Sequence, residues 1–110
     1  MTEEQRVRTT YDAFNARDEH QALAGLHTDV RWDDGEGHML SGKQAVAEHW
    51  REQWQKADAK LQIDSMERDG ADLIVFATLN FSQLGGARTS RPVRNTIRLR
   101  DDLIASMHIG

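Results

Sequence analysis

The feature that most constrains this chain is a change of hydrophobic period near Lys60. Before it, apolar residues recur every three or four positions. Val7, Tyr11 and Phe14 form one such set, and Val46, Trp50 and Trp54 another. A helix turns once in about 3.6 residues, so each set lies on a single face. After Lys60 the period drops to two. Val93, Asn95, Ile97 and Leu99 fall on one side of a strand, and Arg94, Thr96, Arg98 and Arg100 on the other. Helices followed by strands predict an α+β layer, with helices on one face of a strongly bent antiparallel sheet and a cone-shaped interior between them.

Local signals set the boundaries. Thr2 and Gln5 have the spacing of a capping box, and Glu3 and Glu4 suit the positive end of a helix dipole, predicting a helix over 3–17. Asp18 is a cap for a short second helix over roughly 19–26, with Ala22, Leu23 and Leu26 inward. Thr28-Asp29 breaks it, and Val30 to Asp34 alternates as a strand ended by Gly35-Glu36-Gly37. A short strand follows, and Ser41 is the expected cap of a third helix over 42–57. Strands are then predicted near 60–67, 72–84, 88–100 and 103–109, with turns at Asp69-Gly70, Gly85-Gly86 and Asp101-Asp102. In the third strand Leu73, Val75, Ala77, Leu79 and Phe81 make an apolar side, yet Ile74 and Phe76 lie opposite, so cover on both faces, one of them by a second subunit, is expected.

The chain's 110 residues fit one domain, 1–110. Fourteen basic against eighteen acidic side chains give a formal charge of −4, a poor match for nucleic acid, whose binding rests on clustered Lys and Arg. The lack of cysteine excludes disulfides, thiolate metal sites and cysteine nucleophiles. No apolar leader and no membrane-length apolar run occur, so a cytoplasmic location without membrane contact is expected.

Four segments, Tyr11 to Asp18, Leu26 to Trp32, Ser41 to Trp50 and Arg100 to Met107, occur in an order and spacing that resembles the NTF2-like superfamily, especially its SnoaL-like and ketosteroid-isomerase-like branches. That resemblance spans almost the whole chain. It implies a cystatin-like curved sheet wrapped over the N-terminal helices, a pocket between sheet and helices, and homodimers formed through the outer sheet face. The superfamily hosts isomerases, cyclases, dehydratases, hydrolases and non-catalytic binding modules, so fold alone does not name an activity.

Within that frame Asp34 is the leading catalytic candidate. It leaves the first strand on the side of Val30 and Trp32, where partial desolvation would raise its pKa and suit it to act as a base. The resemblance places it close to the catalytic aspartate of bacterial ketosteroid isomerases. Asp33 takes its place if the register slips by one, and an aspartate before glycine is also a common turn residue. Those isomerases hold their enolate with a tyrosine and a protonated aspartic acid. Here the tyrosine position falls on Thr10 with Tyr11 beside it, the late acid becomes Asn95, and a second tyrosine becomes Trp50. Tyr11 and Asn95 remain as hydrogen-bond donors to an oxyanion.

Phe14, Trp32, His49, Trp50 and Trp54 are the expected ligand-contacting residues, and His49 could pair with Asp34. His20 and His27 are expected to face solvent, and His108 to face away from the pocket. Asp33, Asp34, Glu36 and His38 gather potential metal ligands but lack a known ligand spacing, so no metal and no cofactor is assigned. Gly37 to Gln44 nearly matches a phosphate-binding loop, yet Gln44 stands where a magnesium-holding hydroxyl is needed. Arg91, Arg94, Arg98 and Arg100 are expected to pair with carboxylates across the outer face or a twofold interface, leaving no arginine on the Asn95 side; an epoxide-hydrolase arrangement of Asp, Arg and Asp is accordingly ranked last. The expected partner is a small, mostly apolar molecule. Two readings stand: cofactor-independent proton transfer on an apolar carbonyl compound, or a non-catalytic dimeric binding module.

Overall fold

The computed structural model describes residues 1–83 and 86–110. Helices α1 (Glu3–Asn15) and α2 (Glu19–Ala24) precede strands β1 (Leu26–Asp33) and β2 (Met39–Ser41). Helix α3 (Lys43–Lys56) then leads into β3 (Ala57–Asp69), β4 (Asp72–Gln83), β5 (Thr89–Arg100) and β6 (Leu103–Ile109). One six-stranded sheet runs in the order β2-β1-β6-β5-β4-β3. It is curved and open, and the helices cover its concave side.

The predicted caps form at both early helices. Thr2 Oγ1 accepts the Gln5 N–H while Gln5 Oε1 accepts the Thr2 N–H, and Asp18 accepts from the Gln21 N–H. Asp101 and Asp102 both adopt positive φ between Arg100 and Leu103, as a two-residue hairpin turn with right-handed twist requires. Gly70 provides the same freedom between β3 and β4. The turn expected at Gly85-Gly86 lies partly outside the described residues.

Three expectations change. Helix α2 ends at Ala24, and Leu26 opens β1 rather than closing the helix. Gly25 is the C-cap of α2, and α1 passes so close there that a Cβ on Gly25 would lie 2.0 Å from Thr10 Oγ1. Ser41 belongs to β2, and the cap of α3 is Gly42, whose φ of +85° few other residues tolerate. β1 pairs with β6 in parallel, whereas every other ladder is antiparallel. The segment resembling a phosphate loop is simply β2 and the start of α3.

The core lies between the helices and the concave face. Val7 and Tyr11 of α1, Val46 and Trp50 of α3, and Val75 and Ile97 of the sheet are all buried. Asn15 anchors the end of α1 to the sheet edge: its side chain donates to the Leu61 carbonyl at 2.7 Å and accepts from the Leu61 N–H at 2.8 Å. An edge strand otherwise leaves such groups unpaired. On the convex face Ile74 is buried, Phe76 is half-buried beneath the Arg94 guanidinium, and Arg98 pairs with Asp72. Among the described residues no helix is long and apolar enough to cross a membrane.

Candidate functional site

A cavity of about 760 Å³ opens between α1, α3 and the concave sheet. That size suits a small organic ligand, since such pockets commonly measure roughly 300–1,000 Å³. Phe14, Trp32, His49 and Trp50 line it, and Leu61, Leu79, Val93 and Met107 supply further apolar wall. The aromatic side is rigid. Trp50 meets Trp32 edge-on at 5.3 Å between ring centroids, and Phe14 meets Trp50 at 5.7 Å. Trp54 packs against Phe14 and Trp50 but is not among the lining residues, and its buried indole N–H has no partner among the described residues.

The α1 periodicity and the β5 alternation converge on one polar pair. Tyr11 points inward from α1, and Asn95 inward from β5, each residue only 4% exposed. Asn95 Nδ2 donates to the Tyr11 hydroxyl oxygen at 2.8 Å. Asn95 Oδ1 is buried with no hydrogen-bond partner among the described residues. Burial pushes the Tyr11 phenol up to about 12, only partly offset by the hydrogen bond from Asn95, so it stays protonated near neutrality. Thr10 plays a different part. Its hydroxyl donates to the Arg6 carbonyl at 2.8 Å, and its side chain wedges against Gly25.

Asp33 and Asp34 also line the cavity, at the end of β1. Contrary to expectation, the Asp34 carboxyl is held below the usual aspartate range. Its Oδ1 accepts from the backbone N–H of Glu36 at 2.7 Å, the largest influence, and of His38 at 3.1 Å. These donors favour the charged form and outweigh the cost of burial. The side chain is 11% exposed, and its imidazole neighbour is His38 at 3.3 Å rather than His49. Asp33 accepts from the Gly35 N–H and the Ile109 N–H and lies 3.3 Å from His108, which ties the end of β1 to the end of β6. Both carboxylates therefore double as loop anchors. Among the described residues no three His, Asp or Glu side chains are grouped to hold a metal ion.

Two further placements depart from the sequence reading. Arg91 shares the face of Val93 and Asn95, lines the cavity, and lies over the Phe81 ring at 6.0 Å. Residue parity along β5 already carried that signal. Of the four arginines, Arg98 and Arg100 reach carboxylates, Asp72 and Asp29, while Arg91 and Arg94 lie over aromatic rings. His27 belongs to β1 and is half-buried against Arg100, whereas His20 is exposed.

Solved structures share this architecture. An NTF2-like protein from Burkholderia pseudomallei is 24% identical, with a TM-score of 0.88 over 100% of this chain and 91% of that one. TerC co-crystallised with polyporic acid is 21% identical, with a TM-score of 0.88 over 98% and 89% of the two chains. An epoxide hydrolase of LEH-like type from M. tuberculosis is 18% identical, with a TM-score of 0.82 over 96% and 78%. At such identities the likeness is one of fold. No curated protein is significantly similar in sequence. A family model describing the SnoaL-like domain matches residues 7–107, nearly the whole length over which the helices, the sheet and the cavity were described. The chain therefore belongs to the SnoaL-like domain family and has the NTF2-like fold.

Proposed function

We propose that this protein binds a small, mostly apolar molecule in the cavity between α1, α3 and the sheet. One observation carries the reading: an aromatic-walled hollow of about 760 Å³ that also contains a buried, hydrogen-bonded tyrosine–asparagine pair. Apolar walls supply affinity through burial, and a few placed polar groups set orientation. Two structural neighbours, TerC with polyporic acid and the epoxide hydrolase, are proteins of small-molecule chemistry by their names, which agrees with this use of the fold. A thermal-shift screen of ketones, steroids and polyketide fragments tests it, because a ligand of the native state raises the melting temperature by mass action. No shift with any of them, at concentrations up to their solubility, would count against the reading.

A second reading is cofactor-independent proton transfer on a bound carbonyl compound. It is favoured by Asp34 lining the same cavity as Tyr11 and Asn95. Asp34 would remove the proton, and the Tyr11 hydroxyl, polarised by the amide of Asn95, would donate to the developing oxyanion. The lowered Asp34 pKa makes it a weak base at pH 7, which ranks this reading second. Exchange of α-hydrogens of a bound ketone in D₂O, followed by NMR, needs no knowledge of the natural substrate. Asp34→Asn should abolish the exchange, and an unchanged rate in that variant removes Asp34 from the role.

Self-association through the convex face belongs to the same proposal. Ile74 and Phe76 form its apolar centre. Light scattering of the purified chain checks it, and Phe76→Lys should shift any dimer to monomer without altering the circular dichroism.

A further inference from the structure

The two edges of the sheet differ in length. β2 has three residues, whereas β3 has thirteen and is the edge that another chain could extend. Antiparallel pairing turns alternate residues of β3 away from β4, and the Asn15 contacts show which: both backbone groups of Leu61 point off the sheet. By the same alternation so do those of Ala57, Ala59 and Ile63, up to the register shift between Ile63 and Ser65. Two of these positions are filled from within the chain. The Ala57 N–H donates to the Gln53 carbonyl and the Ala57 carbonyl accepts from Arg17, while Leu61 gives both its bonds to Asn15. Ala59 and Ile63, on either side of Leu61, have no hydrogen-bond partner off the sheet among the described residues. The Asn15 bonds also have a particular form. Where two antiparallel strands face each other at a hydrogen-bonded position, each residue donates its N–H and accepts through its carbonyl. The Asn15 carboxamide does the same, with Nδ2 and Oδ1 standing where the N–H and C=O of an incoming residue would stand.

We propose that Asn15 locks the β3 edge against β3 of a second copy of this chain. Every copy carries the same strand, and a twofold axis at Leu61 would pair Leu61 with Leu61 and Ala59 with Ile63, a self-complementary ladder. The apolar side chains of Ala59, Leu61 and Ile63 would share one face of it. Asn15 fills the central position of that ladder, and the end of α1 stands in the path of the incoming strand. Without the Asn15 amide, α1 loses its tie to Leu61, and the edge opens whenever that end of the helix frays. This surface is separate from the convex face and does not depend on what the cavity holds.

The test measures self-association of Asn15→Ala by light scattering and sedimentation, against the wild type at equal concentration. The variant should associate beyond the wild-type state, with amide exchange at Ala59 and Ile63 slowed about tenfold or more on concentration. Phe76→Lys in the same background should leave this association intact. Ala59→Pro, whose lost N–H points off the sheet, should return Asn15→Ala to the wild-type state. Val75→Ala truncates the buried core and leaves the edge covered, so it should not associate at a temperature giving the same unfolded fraction. Equal association of Val75→Ala would make lost stability the cause and overturn the inference, as would an Asn15→Ala that keeps the wild-type state. Should proline prevent folding, seen by circular dichroism, the exchange rates decide: unchanged rates at Ala59 and Ile63 in the associated variant overturn it too.

Discussion

Replacing Gly25 by alanine tests how α1 is seated. The backbone there has φ of −81°, which alanine adopts freely, so any loss of stability must come from space. A methyl at that position would lie 2.0 Å from Thr10 Oγ1 and 3.2 Å from Thr10 Cβ, where ordinary contacts begin at 3.4 Å. Thr10 cannot swing aside cheaply, because its hydroxyl is held by the Arg6 carbonyl and the residue is 1% exposed. Overpacking of this kind costs about 1–3 kcal/mol, a large share of the ~5–15 kcal/mol that holds an ordinary domain together. The melting temperature should fall by roughly 5–20 °C, at ~4–8 °C per kcal/mol for a domain near this size. Thr10→Ala removes the obstructing hydroxyl and methyl. In the double variant Gly25→Ala/Thr10→Ala, urea unfolding should therefore recover about 1–2 kcal/mol relative to the sum of the two single losses. Strict additivity of the two losses would refute the argument. The contact also matters to the site, since Thr10 and Tyr11 are neighbours on α1 and a displaced helix carries Tyr11 away from Asn95.

Tyr11 is the only tyrosine, so its ionisation can be followed at 295 nm without overlap from another phenol. With the folded pKa up at about 12 and an unfolded value near 10, the native state retains the proton longer. The stability this gives is present below pH 10 and is lost as pH rises toward 12; a native-state midpoint near 10 would contradict it. Asn95→Leu removes the bond that lowers the pKa and should move the midpoint higher still. For Asp34 the sign is opposite: its folded pKa is depressed below 3.8, so its contribution is present above that value and disappears as pH falls through the folded pKa. Carboxyl carbon NMR should find Asp34 still ionised at pH 4, and a midpoint above 4 would be inconsistent with the loop donors. Asn15→Ala strips both bonds from the Leu61 backbone and should cost about 1–3 kcal/mol in urea unfolding, with Asn15→Asp recovering part through the Leu61 N–H.

What could be read from the residues were features written in local spacing. The stripe of Val7, Tyr11 and Phe14 and the parity of Val93, Asn95 and Ile97 were enough to direct Tyr11 and Asn95 to the same interior. The Thr2–Gln5 box and the Asp101-Asp102 turn were equally local. Features that depend on distant partners were not legible. Nothing near Leu26 announces that its strand will lie parallel to β6, and nothing near Gly25 announces Thr10. Asp34 shows the limit most clearly. Asp33 and Asp34, of opposite parity, both line the cavity, so alternation does not separate them, and the acidity of Asp34 is set by the backbone donors of Glu36 and His38, which exist only once Gly35 and Gly37 have turned the loop with positive φ. The position of Arg91 was available from parity.

The parallel pairing of β1 with β6 also orders events in time. Val30 and Trp32 sit on a strand whose sheet partner lies about 75 residues later in the chain, Trp32 pairing with Met107. Until those residues arrive, the β1–β2 hairpin has no ladder to join, and the wall containing Trp32 stays apart from the one containing Asn95. Removing β6 would thus divide the sheet into β2-β1 and β5-β4-β3, joined only through the helices, and long-range closure of this kind points to slow folding governed by chain topology.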